Sequence, residues 1–110
     1  MSWSITQRFT PDNVNEVPNN LKGIYAIWGE NDNSLYYGMS RSCIKDRLQA
    51  HVKKWRNGSK AIAMLLDTGA AGQLFFAYKE TNEPRLEEAV LIRSEMPWGN
   101  RRRESVRLED

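Results

Sequence analysis

Apolar positions along the chain fall into two periods. From Gly23 the run Ile24-Tyr25-Ala26-Ile27-Trp28 is continuous, β-branched and aromatic, which predicts a strand. Glu30-Asn31-Asp32-Asn33 has turn chemistry, and Leu35-Tyr36-Tyr37 returns as a second strand, so the segment predicts a β-hairpin. Gly38 to Ser42 reads as a loop. The period then changes: Ile44, Leu48, Val52 and Trp55 fall at i, i+4, i+8 and i+11, predicting a helix from Ile44 to Trp55 that Asn57-Gly58 ends. Ser59 is placed to cap a second helix, Lys60 to Leu66, stopping near Thr68-Gly69. Gln73 to Lys79 predicts a third strand. A third helix, capped by Thr81 or Asn82 with Pro84 in its first turn, runs to Ser94 or Glu95. Met96 to Asn100 reads as a turn. Residues 1–20 form a lead-in with one short helical turn, started by Thr10-Pro11 and reaching Val14.

The predicted order β-β-α-α-β-α describes an α+β domain: a small three-stranded antiparallel sheet flanked by helices. With 110 residues there is material for a single domain, its core at about 18–100, with 1–17 a lead-in and 101–110 a basic polar tail. A hydrophobic content of 40% and a charged content of 27% suit a soluble globular protein. No apolar run approaches the roughly 18–20 residues of a membrane span, and MSWSITQRF lacks the order of a secretory signal. The single cysteine, Cys43, cannot close an internal disulfide, which suits a reducing compartment. The expected location is therefore cytoplasmic.

Charge changes the picture through its distribution, since the net value is only +2. From Arg41 to Lys60 there are seven basic residues against one acid, Asp46, and Arg101-Arg102-Arg103 makes a second basic run. Arg41, Lys45, Lys53, Lys54, Arg56, Lys60, Arg101, Arg102 and Arg103 are the candidate contacts to a polyanion, because clustered cations gain from phosphate neutralisation and counterion release. The plainer reading of the same residues is a set of solvated helix faces.

Three groups could carry chemistry. Tyr25 and Tyr36 stand eleven apart on neighbouring strands of one hairpin, close enough for two phenols to meet, and Gly23 and Gly38 bracket them. Arg47 and His51, four apart on the first long helix, lie on one flank of its apolar stripe. The arginine could hold a phosphate with two donors, and the histidine could carry a proton near neutral pH. On the last helix Glu87 or Glu88 could anchor a divalent ion whose other ligands come from phosphate and water. One cysteine and one histidine cannot complete a zinc site, and no GxGxxG, Walker or GxSxG motif is present.

Taken together, these residues resemble the GIY-YIG nuclease domain. GIY is literal at Gly23-Ile24-Tyr25, and the second element stands as Tyr36-Tyr37-Gly38, YYG in place of YIG. IKDRLQAH resembles the family helix that carries a catalytic arginine followed a turn later by His or Tyr, which implies Arg47 and His51. EAVLIRSEMPWGN resembles the segment with the metal-binding glutamate and a terminal asparagine. The spacing of twelve selects Glu88 over Glu87 and adds Asn100. Spacing also favours Tyr36 over Tyr37. The chain departs from the family at Met39, where some members carry a lysine near the reacting phosphate.

The resemblance implies an endonuclease that hydrolyses DNA phosphodiester bonds with one Mg²⁺ or Mn²⁺ held by Glu88. It makes Tyr25, Tyr36, Arg47, His51, Glu88 and Asn100 the catalytic set. The tyrosine pair would position and deprotonate the attacking water, and Arg47 would clamp the phosphate. His51 would assist proton transfer or orient a tyrosine, and Asn100 would fix substrate or water. DNA, including branched or nicked duplex, is the expected partner, with specificity supplied by a protein partner or self-association. A catalytically silent nucleic-acid-binding module is the alternative: it would keep the basic surface without needing Glu88 or the tyrosines.

Overall fold

The structure is a computed structural model and describes residues 2–100; the expected contacts at Arg101, Arg102 and Arg103 lie outside the described residues. The architecture is α+β. Strands β1 (Gln7–Arg8), β2 (Gly23–Trp28), β3 (Ser34–Ser40) and β4 (Phe75–Glu80) form one antiparallel sheet in the order β1-β4-β2-β3. Helix α1 (Pro11–Asn15) follows β1, α2 (Ile44–Val52) and α3 (Lys60–Thr68) connect β3 to β4, and α4 (Pro84–Glu95) follows β4.

The expected three-stranded sheet is thus corrected to four strands. β1 is two residues of polar side chains and carries no alternation that a sequence pattern could register. Its pairing is supplied by the exposed edge of β4, where Gln7 lies opposite Phe76 and Arg8 opposite Phe75. The contact extends to both sides: the Phe9 N–H donates to the Leu74 carbonyl at 2.8 Å, and the Ser4 N–H to that of Tyr78 at 2.7 Å.

β2 is an interior strand, buried from Gly23 to Ile27, and this explains why its apolar run does not alternate. Tyr25 and Ile27 face the main core with Tyr36, Phe76, Ile44, Leu48 and Ile62. Ile24 faces the other way, beside Leu86, Val90 and Leu91 of α4. The hairpin closes as expected, although β3 continues through Gly38 to Ser40 where a loop was expected. Ser40 Oγ then accepts the backbone N–H groups of Ser42 and Cys43, which satisfies the donors just ahead of α2.

Helix boundaries moved where the local backbone was decisive. α2 stops at Val52, not Trp55: Lys54 takes φ +57°, and the Trp55 N–H turns back to the Ala50 carbonyl at 2.9 Å. Trp55 therefore leaves the apolar stripe and is 48% exposed. α3 runs two residues past the expected end, to Thr68, before Gly69 caps it in the left-handed region at φ +68°. β4 begins at Phe75, not Gln73. At the start of α4 the cap position is Glu83, and Thr81 Oγ1 reaches forward to accept its N–H at 3.1 Å. α1 forms as expected, with the Thr10 side chain accepting the Asn13 N–H at 3.2 Å.

Gly23 marks a close approach of two strands. A Cβ there would run into the Lys79 carbonyl oxygen of β4, which is backbone and has no rotamer to move to. Gly23→Ala is expected to lower unfolding free energy by about 1–3 kcal/mol, as for an overpacked core position. Denaturant unfolding measures it.

Candidate functional site

Register brings the two tyrosines together. Ile27 pairs with Tyr36 and Tyr25 with Gly38 across β2 and β3, so Tyr25 and Tyr36 share a face as diagonal neighbours. Their rings stack with centroids 6.3 Å apart. Tyr37 pairs with Ala26 and so faces the opposite side. The doubled tyrosine thus has one member beside Tyr25, and it is Tyr36. Gly38 is what lets the Tyr25 ring lie across β3: a Cβ at this position would collide with Tyr25 Cζ and Oη.

His51 approaches from α2, fully buried, with its ring 5.5 Å from that of Tyr25 and 5.1 Å from that of Tyr36. Its Nε2 lies 2.6 Å from Tyr25 Oη, and its Nδ1 accepts the backbone N–H of Ser59 at 2.9 Å. A backbone amide can only donate, so a proton on Nδ1 would set two N–H groups against each other. The neutral ring is accordingly the Nε2–H tautomer, and His51 donates to Tyr25. This favours the orienting role for His51 over the proton-transfer one.

Ser59 was legible only as a helix cap, which it also is, accepting the Ile62 N–H at 3.2 Å. Nothing in the sequence shows its own amide aimed at a histidine eight residues earlier. Gly58 makes the approach possible, because a Cβ there would meet the Ala50 carbonyl.

Arg47 is partly exposed on the same helix and lies beside the Tyr25 hydroxyl. Burial raises the Tyr25 pKa above the ordinary phenol range, and the neighbouring Tyr36 adds to the rise. Arg47 opposes it through its charge and a side-chain hydrogen bond, and the charge of Glu88 raises it further. Tyr25 Oη therefore has His51 Nε2 at 2.6 Å, the Arg47 guanidinium favouring its anionic form, and a carboxylate within electrostatic range.

The choice between Glu87 and Glu88 is made by their neighbours. Glu87 Oε1 accepts from Lys79 Nζ at 2.8 Å and its Oε2 accepts from the Thr81 hydroxyl, two bonds that hold its pKa below the usual carboxylate value. It is engaged in holding α4 to the end of β4. Glu88, half-buried one position on, is the carboxylate that acts on Tyr25.

Asn100 is buried, but its amide is committed elsewhere. Oδ1 accepts the Tyr37 N–H at 2.6 Å and Nδ2 donates to the Tyr37 carbonyl at 2.8 Å. β3 is an edge strand, so Asn100 supplies the pairing that a further strand would give. Both polar atoms of its amide thus engage the β3 backbone, and neither bond bears on the expected role of fixing substrate or water.

Among the basic residues, Arg41, Lys53, Lys54, Arg56 and Lys60 are exposed and Lys45 is partly buried. Two are already engaged: Lys54 pairs with Asp67 at 2.5 Å, and Lys53 Nζ lies 5.4 Å from the Trp55 ring centre. Trp98 packs against the core. Among the described residues no three His, Cys, Asp or Glu side chains converge, so no protein-built cage for an ion is present. One carboxylate, Glu88, fits an ion that arrives with a phosphate and its waters.

Comparison with protein-family models gives no match, and neither does comparison with curated proteins. The functional reading rests on the geometry: two phenols, a donating imidazole, a guanidinium and a carboxylate around one buried hydroxyl. That set can hold an anion, order a water and receive a proton onto an oxygen whose anionic form two donors stabilise.

A long-range proton–nitrogen NMR correlation of His51 is expected to show hydrogen on Nε2 and a bare Nδ1 accepting a hydrogen bond. A predominant Nδ1–H form would contradict the donor assignment.

Proposed function

We propose that the protein is a divalent-metal-dependent endonuclease of the GIY-YIG kind, hydrolysing phosphodiester bonds of DNA. The observation that carries this reading is the convergence on Tyr25 of Tyr36, Arg47, His51 and the charge of Glu88. These come from two strands and two helices, and a core needs no such assembly. A tyrosine stabilising only the interior would be served by one partner for its hydroxyl.

In this reading Arg47, reaching the site from a partly exposed position, clamps the scissile phosphate through paired N–H donors. Tyr25 and Tyr36 order the attacking water on the opposite side of phosphorus from the departing 3′ oxygen. His51 holds the Tyr25 oxygen as an acceptor, so its donor bond strengthens as negative charge grows there. A phenol is protonated at neutral pH and burial raises the Tyr25 pKa further, while the cation Arg47 is the group that pulls toward the phenolate. Glu88 is the residue that would hold Mg²⁺ or Mn²⁺, which when bound supplies charge stabilisation to the phosphate oxygens.

A silent nucleic-acid-binding module is the competing reading. It gives no reason for Arg47 and Glu88, opposite in sign, to act on one buried hydroxyl. It also leans on a basic surface from which Lys54 is partly withdrawn by Asp67.

In Mg²⁺ or Mn²⁺ the protein is expected to cleave linear, nicked or branched duplex DNA. Glu88→Gln should lower the rate by about 10²-fold or more, the usual scale for losing one charge-stabilising group. Salt-sensitive binding with no product in either metal, unaltered by Glu88→Gln, would establish the silent module instead.

A further inference from the structure

A second basic feature lies at the end of the sheet where Gly23 pairs with Ser40. Lys22 precedes β2, Arg41 follows β3, and Arg85 stands in the first turn of α4; the three line one cleft of about 660 Å³. Asn82, Pro84, Leu86 and Ala89 complete its walls with one carboxylate, Glu83. Pairing of Gly23 with Ser40 brings the flanking Lys22 and Arg41 to the same edge. Sequence reading picked out Arg41 alone, since Lys22 and Arg85 are isolated cations that only the fold assembles.

The three cations differ from other basic residues nearby in their surroundings. Lys79 and Lys54 each have a carboxylate within 2.8 Å, whereas among the described residues no ion pair forms at Lys22, Arg41 or Arg85. Three cations against one carboxylate, Glu83, around a concave surface leave a net positive potential, which an anion in the cleft relieves. The cleft is carried by the same elements as the site already described, β2, β3 and α4, although none of the site's own side chains lines it. Arg85 lies three residues before Glu88 on α4, about 4.5 Å of helical rise. Arg41 lies three residues beyond Gly38, about 10 Å along an extended chain.

We propose that this cleft is a phosphate subsite, in which Lys22, Arg41 and Arg85 hold a backbone phosphate of a DNA strand, other than the phosphate at Arg47. Calling the latter phosphate scissile rests on the nuclease reading; the holding of a phosphate in the cleft does not. The subsite sets the direction in which the strand crosses the β3 edge. It reads no bases, so its contribution is uniform across sequences.

The test is binding of a short duplex DNA to the full chain, without divalent metal, over a series of salt concentrations. The parent is compared with Lys22→Gln/Arg41→Gln/Arg85→Gln and with Arg93→Gln, an exposed charge at the far end of α4. Among the described residues the three side chains form no hydrogen bond or ion pair, and circular dichroism verifies that the triple variant folds. Loss of one phosphate contact should reduce the slope of log K against log salt by about 0.9 in the triple variant. Arg93→Gln should leave the slope unchanged. An unaltered slope in the triple variant, or a parent without salt-dependent affinity, would overturn the subsite. Cleavage is scored separately: a parent that binds through the cleft but never cuts leaves the subsite standing and removes the nuclease reading.

Discussion

Burying a phenol hydroxyl without a partner costs free energy on the order of 1–3 kcal/mol, and Tyr25 is buried to 1% exposure. Much of the surrounding structure can be traced to meeting that requirement. Gly38 clears the space the ring crosses, and the end of α2 delivers His51 Nε2 to the hydroxyl. The chain then turns sharply through Lys54 and Gly58, so that the Ser59 amide engages the other ring nitrogen. A strand, a helix and the following turn are thereby linked by a continuous run of hydrogen bonds: Ser59 N–H to His51, His51 N–H to Tyr25. Removing any member leaves a buried polar atom behind, which is why the turn after α2 matters as much as the helix itself.

The same requirement shapes the electrostatics. A hydroxyl held only for stability would sit among neutral groups. Here Arg47 favours the anionic form, while burial and the charge of Glu88 oppose it. These opposed effects make the oxygen responsive to what binds: a cation near Glu88 would cancel the unfavourable charge and leave the two donors in control. Division of labour between the glutamates supports this arrangement. Glu87, bonded to Lys79 and Thr81, fixes α4 against β4, and that fixation presents Glu88 toward Tyr25.

Much of this was legible in the residue order because it depends on local pattern. The apolar run of β2, the turn at 30–33 and the stripe Ile44/Leu48/Val52 each report a nearest-neighbour constraint. Spacing alone put Tyr25 and Tyr36 on one face, and Arg47 and His51 on one flank. What pattern could not show was long-range pairing. β1 is too short and polar to announce itself, and it exists because β4 has an open edge. Trp55 satisfied the helical period but was carried out of the helix by the left-handed turn at Lys54. Asn100 was found by position, yet its partner, the Tyr37 backbone, depends on β3 being an edge strand. The Ser59 amide and the Lys22–Arg41–Arg85 cleft are backbone and tertiary features, invisible to side-chain motifs.

In the proposed nuclease the Tyr25 hydroxyl is the chemical centre of the site and not merely a core phenol. Tyr25→Phe tests it most directly, because phenylalanine keeps the ring in place and removes only the oxygen. Single-turnover cleavage of DNA by the folded variant in Mg²⁺ or Mn²⁺ should fall by about 10²-fold or more, the range for loss of a proton-handling group. Cleavage at the parent's rate would contradict it.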